Sequence, residues 1–220
     1  MVNDIKCQSL FAFKSDFIKK LFDRFSYPWE ILPHIKEIIS ALVSNLPEGY
    51  ELLRDGVALG KNVYIDPSAR IDAPVIIGDN CEIRHGAFIR GSVILGNGCV
   101  IGNSSEIKNS ILMDRSQIPH FNYVGDSIIG EGAHLGAGAI CSNLRSDKKS
   151  IVIKGDSYSL DTGLRKLGAI LGDGVEVGCG AVLCPGTLIG KNSTVYPLAM
   201  TRGVYPECCI IKNSGITFKH

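Results

Sequence analysis

The sequence has almost no net charge, few aromatic residues and no long hydrophobic run, and each shortage removes a class of answers. Lys and Arg number 23 against 22 Asp and Glu, a formal charge of +1, so no global field favours nucleic acid or an anionic membrane. Aromatic residues make up 7%, a profile suited to tight turns and small inward side chains. No run approaches the roughly 18 apolar residues that cross a membrane, and the opening MVNDIKCQSLFAFKSDF has no apolar stretch of secretory-signal length. None of the eight cysteines forms a C-x-x-C pair, which weakens zinc-ribbon and thioredoxin readings. The expectation is a cytoplasmic protein with reduced thiols.

What the chain has is glycine, 25 residues in 220, and a six-residue clock. Leu59, Ile65, Ile71, Ile77, Ile83, Ile89, Leu95, Ile101, Ile107 and Met113 stand six apart, and all are large and aliphatic. Two residues before each stands a mostly small or β-branched residue, such as Val57, Val75, Cys81 and Cys99. An α-helix repeats near 3.6 residues, so this period is not helical, whereas alternation within each six suits a strand. Short strands joined by sharp turns wind a coil, three sixes to a triangular turn, with turns about 4.8 Å apart. Cys81 and Cys99 then stack as packed thiols on adjacent turns. The clock resumes at Ile129, Leu135 and Cys141, and again at Leu171, Val177, Leu183, Ile189 and Val195.

The segment QIPHFNYVGD breaks the count, and SNLRSDKKSIVIKGDSYSLDTGLRKLGAI breaks it again. The predicted organisation is a helical cap or interface segment at 1–56, a solenoid at 57–207 with loops at 114–128 and 142–169, and a tail at 208–220. In the first segment Ser15 is the expected cap of a helix carrying Phe17, Ile18, Leu21, Phe22 and Phe25. A second helix is expected from Pro33, with Ile35, Ile38, Ile39, Leu42 and Val43 on its apolar face. Such a segment would cover the exposed end of a solenoid.

The hexapeptide clock resembles that of the left-handed β-helix acyltransferases and their non-enzymatic relatives. The fold implied is all-β, a left-handed parallel β-helix with a short N-terminal helical segment. The stretch EIKNSILMDRSQIPHFNYVGDSIIGEGAHLGAGAICSNLRSD is more specific. It resembles the acetyltransferase domain of bifunctional N-acetylglucosamine-1-phosphate uridylyltransferases, where a Lys- and His-bearing segment ends in Tyr-x-Gly-Asp and a Gly-Ala-Gly coil leads to an Asn. GLRKLGAILGDGVEVGCGAVLCPGTLIG resembles archaeal sugar-1-phosphate transferases. The nucleotidyltransferase half of the bifunctional enzymes has no counterpart here, since no Gly-rich phosphate loop occurs and 56 residues are too few for a doubly wound fold.

The resemblance implies transfer of acetyl from acetyl-CoA to the amine of a hexosamine 1-phosphate, glucosamine or galactosamine 1-phosphate, without a catalytic metal, in a homotrimer. It assigns His120 as the base, and a histidine with a reference pKa near 6.5 suits that proton transfer. Arg90 and Lys108 fall at the family's phosphate positions. Their spacing stacks them on adjacent coils, where two cations about 5 Å apart repel unless an anion joins them. Tyr123 and Asn143 match sugar-binding positions. Ala137 matches a CoA contact, and the low Gly136–Ala139 wall would let a thioester approach backbone N–H groups. Cys179 would line the same channel without acting as a nucleophile. Lys149 and Arg165, from a basic cluster in the second loop, are the candidates for CoA phosphates. Two other readings stay open. One is a non-catalytic solenoid subunit. The other, less favoured, is a zinc carbonic anhydrase using His85, His120 and His134, against which stands the absence of the family's third, closely following histidine.

Overall fold

The computed structural model describes every residue except Met1, Pro47, Asp156 and His220. The clock winds a parallel β-solenoid with three walls, met in chain order as first, second and third. The first wall runs from Val57–Leu59 through Val75–Ile77, Val93–Leu95, Ser110–Leu112, Ile128–Ile129, Ala169–Leu171 and Thr187–Ile189 to Val204–Tyr205. The second begins at Tyr64–Ile65 and the third at Arg70–Ile71. Strands one turn apart pair in parallel, with Leu59 opposite Ile77 and Ile77 opposite Leu95. The large aliphatic residues fill the prism as expected: Ile77, Ile83, Ile89, Ile101 and Ile107 are wholly buried in one core. Cys81 and Cys99 lie in that core as free thiols.

QIPHFNYVGD does not leave the solenoid, which corrects the loop expected at 114–128. Gln117–His120 is a second-wall strand paired with the strands before and after it, and Tyr123–Gly125 is a third-wall strand paired in the same way. Ile118 and Val124 are its interior residues. The count slips elsewhere. Leu112 stands opposite both Leu95 and Ile129, so two successive turns are each one residue short. Both residues are lost at the corner between the third and first walls. In the preceding turn that corner uses two residues with positive φ, Gly91 and Ser92; in the short turns Asn109 (φ 44°) or Asp126 (φ 49°) bends alone. Asn and Asp tolerate this left-handed conformation better than other side chains. Alternation inside the strands is untouched, so the interior stays apolar. Leu112, and not Met113, is therefore the core residue, and Met113 packs outside the prism.

The helical segment lies along a wall, not over an end. The first-wall strands are apolar on both sides. Ala58, Ile76, Ile94, Ile111, Ile128, Ile170 and Leu188 form an outward ladder that shares a second core with Leu10, Phe11, Phe22, Trp29, Ile31, Ile35 and Ile39. Asp16–Phe22 is a helix capped by the Ser15 hydroxyl, which accepts from the Ile18 N–H. Pro33 lies inside a 3₁₀ stretch, Pro28–His34, and the α-helix Ile35–Ser44 starts two residues later than expected. Antiparallel strands cover the outer rungs instead: Glu51–Arg54 pairs with Val57–Leu59, and Gly215–Phe218 pairs with Cys209–Lys212. The expected tail thus contains the last second-wall rung. The excursion at 142–168 is real and leaves from the corner between the third and first walls. It carries a hairpin, Val152–Lys154 with Ser159–Asp161, and a backbone bridge between Leu144 and Lys166 ties its two arms.

Candidate active site

Two neighbouring surfaces gather most of the residues singled out in the sequence. The first is the corner between the second and third walls. There the Phe121 N–H donates to the Asn103 carbonyl, Gly138 N–H to His120, Gly180 N–H to Ala137 and Leu198 N–H to Cys179. His120, Ala137 and Cys179 are therefore consecutive rungs of one corner. Each is followed by a residue of positive φ: Phe121 (52°), Gly138 (72°) and Gly180 (67°). His120 and Cys179 are exposed. Three N–H groups of the Gly136–Ala139 wall are used internally: those of Gly136, Gly138 and Ala139 donate to Val177, His120 and Gly136. The Ala137 N–H has no acceptor among the described residues.

Asn122 holds this corner. It is 3% exposed, and its Oδ1 accepts from the His120 N–H at 3.0 Å while Nδ2 donates to the Gly136 carbonyl at 2.8 Å and the Ala139 carbonyl at 3.2 Å. One amide thus fixes the backbone of His120 against the rung that carries Ala137. Gly102 is required beneath it, because a Cβ there would run into the Pro119 carbonyl.

The second surface is the outer face of the third wall. Glu106 and Tyr123 are register partners, as are Lys108 and Gly125. Arg90 Nη1 meets Glu106 Oε1 at 2.6 Å, and Lys108 Nζ lies 4.0 Å from Asp126 Oδ2. The two cations expected to repel are each matched by a carboxylate, so the phosphate argument from bare repulsion does not hold as stated. Asp126 is the hub. Its buried carboxylate, 6% exposed, accepts from Asn109 Nδ2 at 2.8 Å and from Asn143 Nδ2, and faces Lys108. Asn143 in turn lies against the Tyr123 hydroxyl. Burial, followed by the Asp126 and Glu106 carboxylates, pushes the Tyr123 phenol above its ordinary value. Gly125 leaves the face open: a Cβ there would stand 2.6 Å from Tyr123 Oη and 2.7 Å from Asn143 Nδ2. Arg90, Lys108, Tyr123 and Asn143 therefore share one face.

Lys149 and Arg165 are not brought together as a pair. Lys149 lies exposed on the excursion, where its N–H donates to Asp147, whereas Arg165 lines a cleft with Lys148 and Lys166. The two further histidines of the zinc reading are engaged elsewhere, His85 with Ser68 and His134 with Glu176. Among the described residues no three metal-ligating side chains converge, and no helix is long and apolar enough to cross a membrane. Sequence reading missed Asp126 and Asn122. Asp126 ends the Tyr-x-Gly-Asp motif, so the motif itself held the signal.

Residues 73–183 match the family model described as the GMPPB C-terminal domain. A bifunctional sugar-1-phosphate nucleotidylyltransferase/acetyltransferase of Sulfurisphaera tokodaii is 40% identical over 89 residues, 40% of this chain and 22% of that protein. The bifunctional protein GlmU of Methanocaldococcus jannaschii is 34% identical over 109 residues, 49% of this chain and 26% of that protein. The match thus spans about a quarter of these relatives' length. Among solved structures, the UDP-N-acetylglucosamine acyltransferase of Francisella novicida aligns with a TM-score of 0.47 at 14% identity, covering 72% of this chain and 68% of that one.

Proposed function

The chain belongs to the GMPPB C-terminal domain family, and from that premise we propose that it is an acetyl-CoA-dependent N-acetyltransferase acting on a hexosamine 1-phosphate, glucosamine or galactosamine 1-phosphate. One observation carries the reading: a single corner stacks His120, Ala137 and Cys179 beside the face that holds Arg90, Lys108, Tyr123 and Asn143. The thioester arm runs along the corner past Cys179 and Ala137. The acceptor lies on the face, its hydroxyls on Tyr123 and Asn143 and its phosphate drawing Arg90 and Lys108 from Glu106 and Asp126. A phosphate dianion gives both cations a stronger partner than one carboxylate each. The exposed cations Lys149 and Arg165 meet phosphate groups of the substrates.

The neutral amine attacks the thioester carbonyl carbon, and the N–C bond forms. The free N–H of Ala137 stabilises the tetrahedral oxyanion. His120 removes the proton that the nitrogen must lose. The C–S bond then breaks, and CoA leaves as a thiol with that proton. The reading includes a homotrimer and no metal.

Release of free thiol from acetyl-CoA, measured over a panel of amino-sugar phosphates, tests it. Saturable turnover on at least one amine is expected, with His120→Ala slower by about 10²–10⁴-fold in kcat. Absence of turnover on every amine, or full activity in the variant, sinks the mechanism. Absent CoA binding would favour the non-catalytic solenoid.

A further inference from the structure

We propose that the cleft between the excursion and the helical flank is a nucleotide-binding site, and that the nucleotide belongs to the acceptor. The hexosamine 1-phosphate is then the proximal part of a larger acceptor, an amino sugar carried on a nucleoside diphosphate. This rests on the acetyltransferase reading above and extends its acceptor.

Charge comes first. Lys148, Arg165 and Lys166 line this cleft of about 620 Å³. None of the three belongs to an ion pair among the described residues, whereas the neighbouring cations do: Arg90 with Glu106, Lys108 with Asp126 and Arg145 with Asp147. The one carboxylate on the lining is Asp126, and Asn109, Asn143 and Lys108 already occupy it. The fold forces the cations together, because the Leu144–Lys166 bridge ties the arm bearing Lys148 to the arm bearing Arg165 and Lys166. Like charges gathered this way repel unless an anion enters.

Size and chemistry then narrow the anion. The volume lies within the range of small-molecule sites, roughly 300–1,000 Å³, and exceeds the need of a lone phosphate. The rest of the lining includes Leu32, Pro33, Leu144 and Leu164. Apolar surface beside three cations suits a flat ring joined to phosphates.

Placement identifies the substrate. Asp126 follows directly on the third-wall strand Tyr123–Gly125, so the cleft opens about 10 Å along the strand from Tyr123. That edge is opposite the corner of His120, Ala137 and Cys179. A thioester arm following that corner leads away along the solenoid axis, whereas an acceptor crossing the face from Tyr123 over Gly125 reaches Lys108 and then the cleft. The sugar-proximal phosphate falls at Arg90 and Lys108, and the distal phosphate and nucleoside fall at Lys148, Arg165 and Lys166.

The test is a titration of the purified protein and its Arg165→Ala/Lys166→Ala variant with UDP, GDP, dTDP and adenosine 3′,5′-diphosphate. Both substituted side chains are exposed, and a matching thermal melt verifies the fold. At least one nucleoside diphosphate is expected to bind the natural protein saturably and the variant at least tenfold more weakly. In turnover, KM for a nucleotide-linked amino sugar rises at least tenfold in the variant while KM for acetyl-CoA is unchanged. Loss of adenosine 3′,5′-diphosphate binding alone, with a raised KM for acetyl-CoA, would assign the cleft to CoA and overturn the proposal. So would the failure of every nucleotide to bind, or binding that the variant leaves intact. Nucleoside diphosphate binding without any acetyl transfer would refute the activity and keep the site.

Discussion

Asn122 shows how one amide sets the position of a candidate base. Its Oδ1 is the acceptor for the His120 N–H, while the carbonyls it donates to keep other donors, Ala139 N–H on Gly136 and Tyr123 N–H on Ala139. Asn122→Ala therefore strands the part-buried His120 N–H and removes the acceptor of the buried Ser105 hydroxyl, a loss of about 1–3 kcal/mol. Denaturant unfolding should read that loss, and kcat should fall while KM for acetyl-CoA holds. Gly125→Ala acts on the other surface. Its φ is not in the left-handed region, so the backbone accepts it, but the new methyl displaces Tyr123 Oη and Asn143 Nδ2. KM for the acceptor should rise about tenfold with a stability change within about 1 kcal/mol. Tyr123 gives a pH test. Its phenol is an acid whose value is raised by burial and by Asp126 and Glu106, so it stays protonated where ordinary tyrosines ionise. The alkaline limbs of the natural protein and of Tyr123→Phe should run parallel to about pH 10. An alkaline fall below pH 10 that vanishes in Tyr123→Phe would contradict this. His120, Tyr123 and Asn143 were legible because the motif fixes residue types. Asn122 was not, because its partners lie fourteen and seventeen residues on and become partners only once the turns are in register.

Walls and corners explain where the count along the chain misled. A six-residue count detects strands but treats all corners as equal. The corner between the third and first walls sheds one residue in two turns, at Asn109 and at Asp126, and the arithmetic then suggests a loop where a complete turn exists. The first wall carries a signal that was present and unread: VAL, VII, VIL, SIL, SII, AIL and TLI recur there, apolar on both sides of the strand. A solenoid wall facing water needs only its inward residues apolar, so this ladder required a covering layer. Ile128 is wholly buried against that layer. Ile128→Ala should cost about 2–5 kcal/mol, as for other large-to-small core changes, although it points away from the prism. Chemical denaturation checks it. A cost within 0.5 kcal/mol would show that the flank is not packed on the wall.

At the scale of the whole molecule the surface is uneven in a way that bears on assembly. One wall is sealed by the helical flank, and the outermost rungs are paired by Glu51–Arg54 and Gly215–Phe218. Along the corner of His120, Ala137 and Cys179, the next rung instead exposes Tyr196 (47%), Leu198 (75%) and Met200 (58%). Leu198 even holds a left-handed φ of 59°, an unfavourable conformation for a γ-branched residue in a turn. Apolar groups of this size on a near-neutral surface favour burial against another molecule, and a second subunit seated on them would lie next to the candidate site. This supports the proposed homotrimer. Light scattering should give three times the 23.7 kDa chain mass. Leu198→Asp/Met200→Asp should lower that mass to one chain without changing the melting of the isolated fold by more than a few degrees, because neither side chain is in the core. Acetyl transfer should be lower in the single-chain variant than in the natural protein, and should fall with the mass as the natural protein is diluted. A natural protein that scatters as a single chain at working concentration would dismiss the trimer, and it would leave both candidate surfaces to function within one protomer.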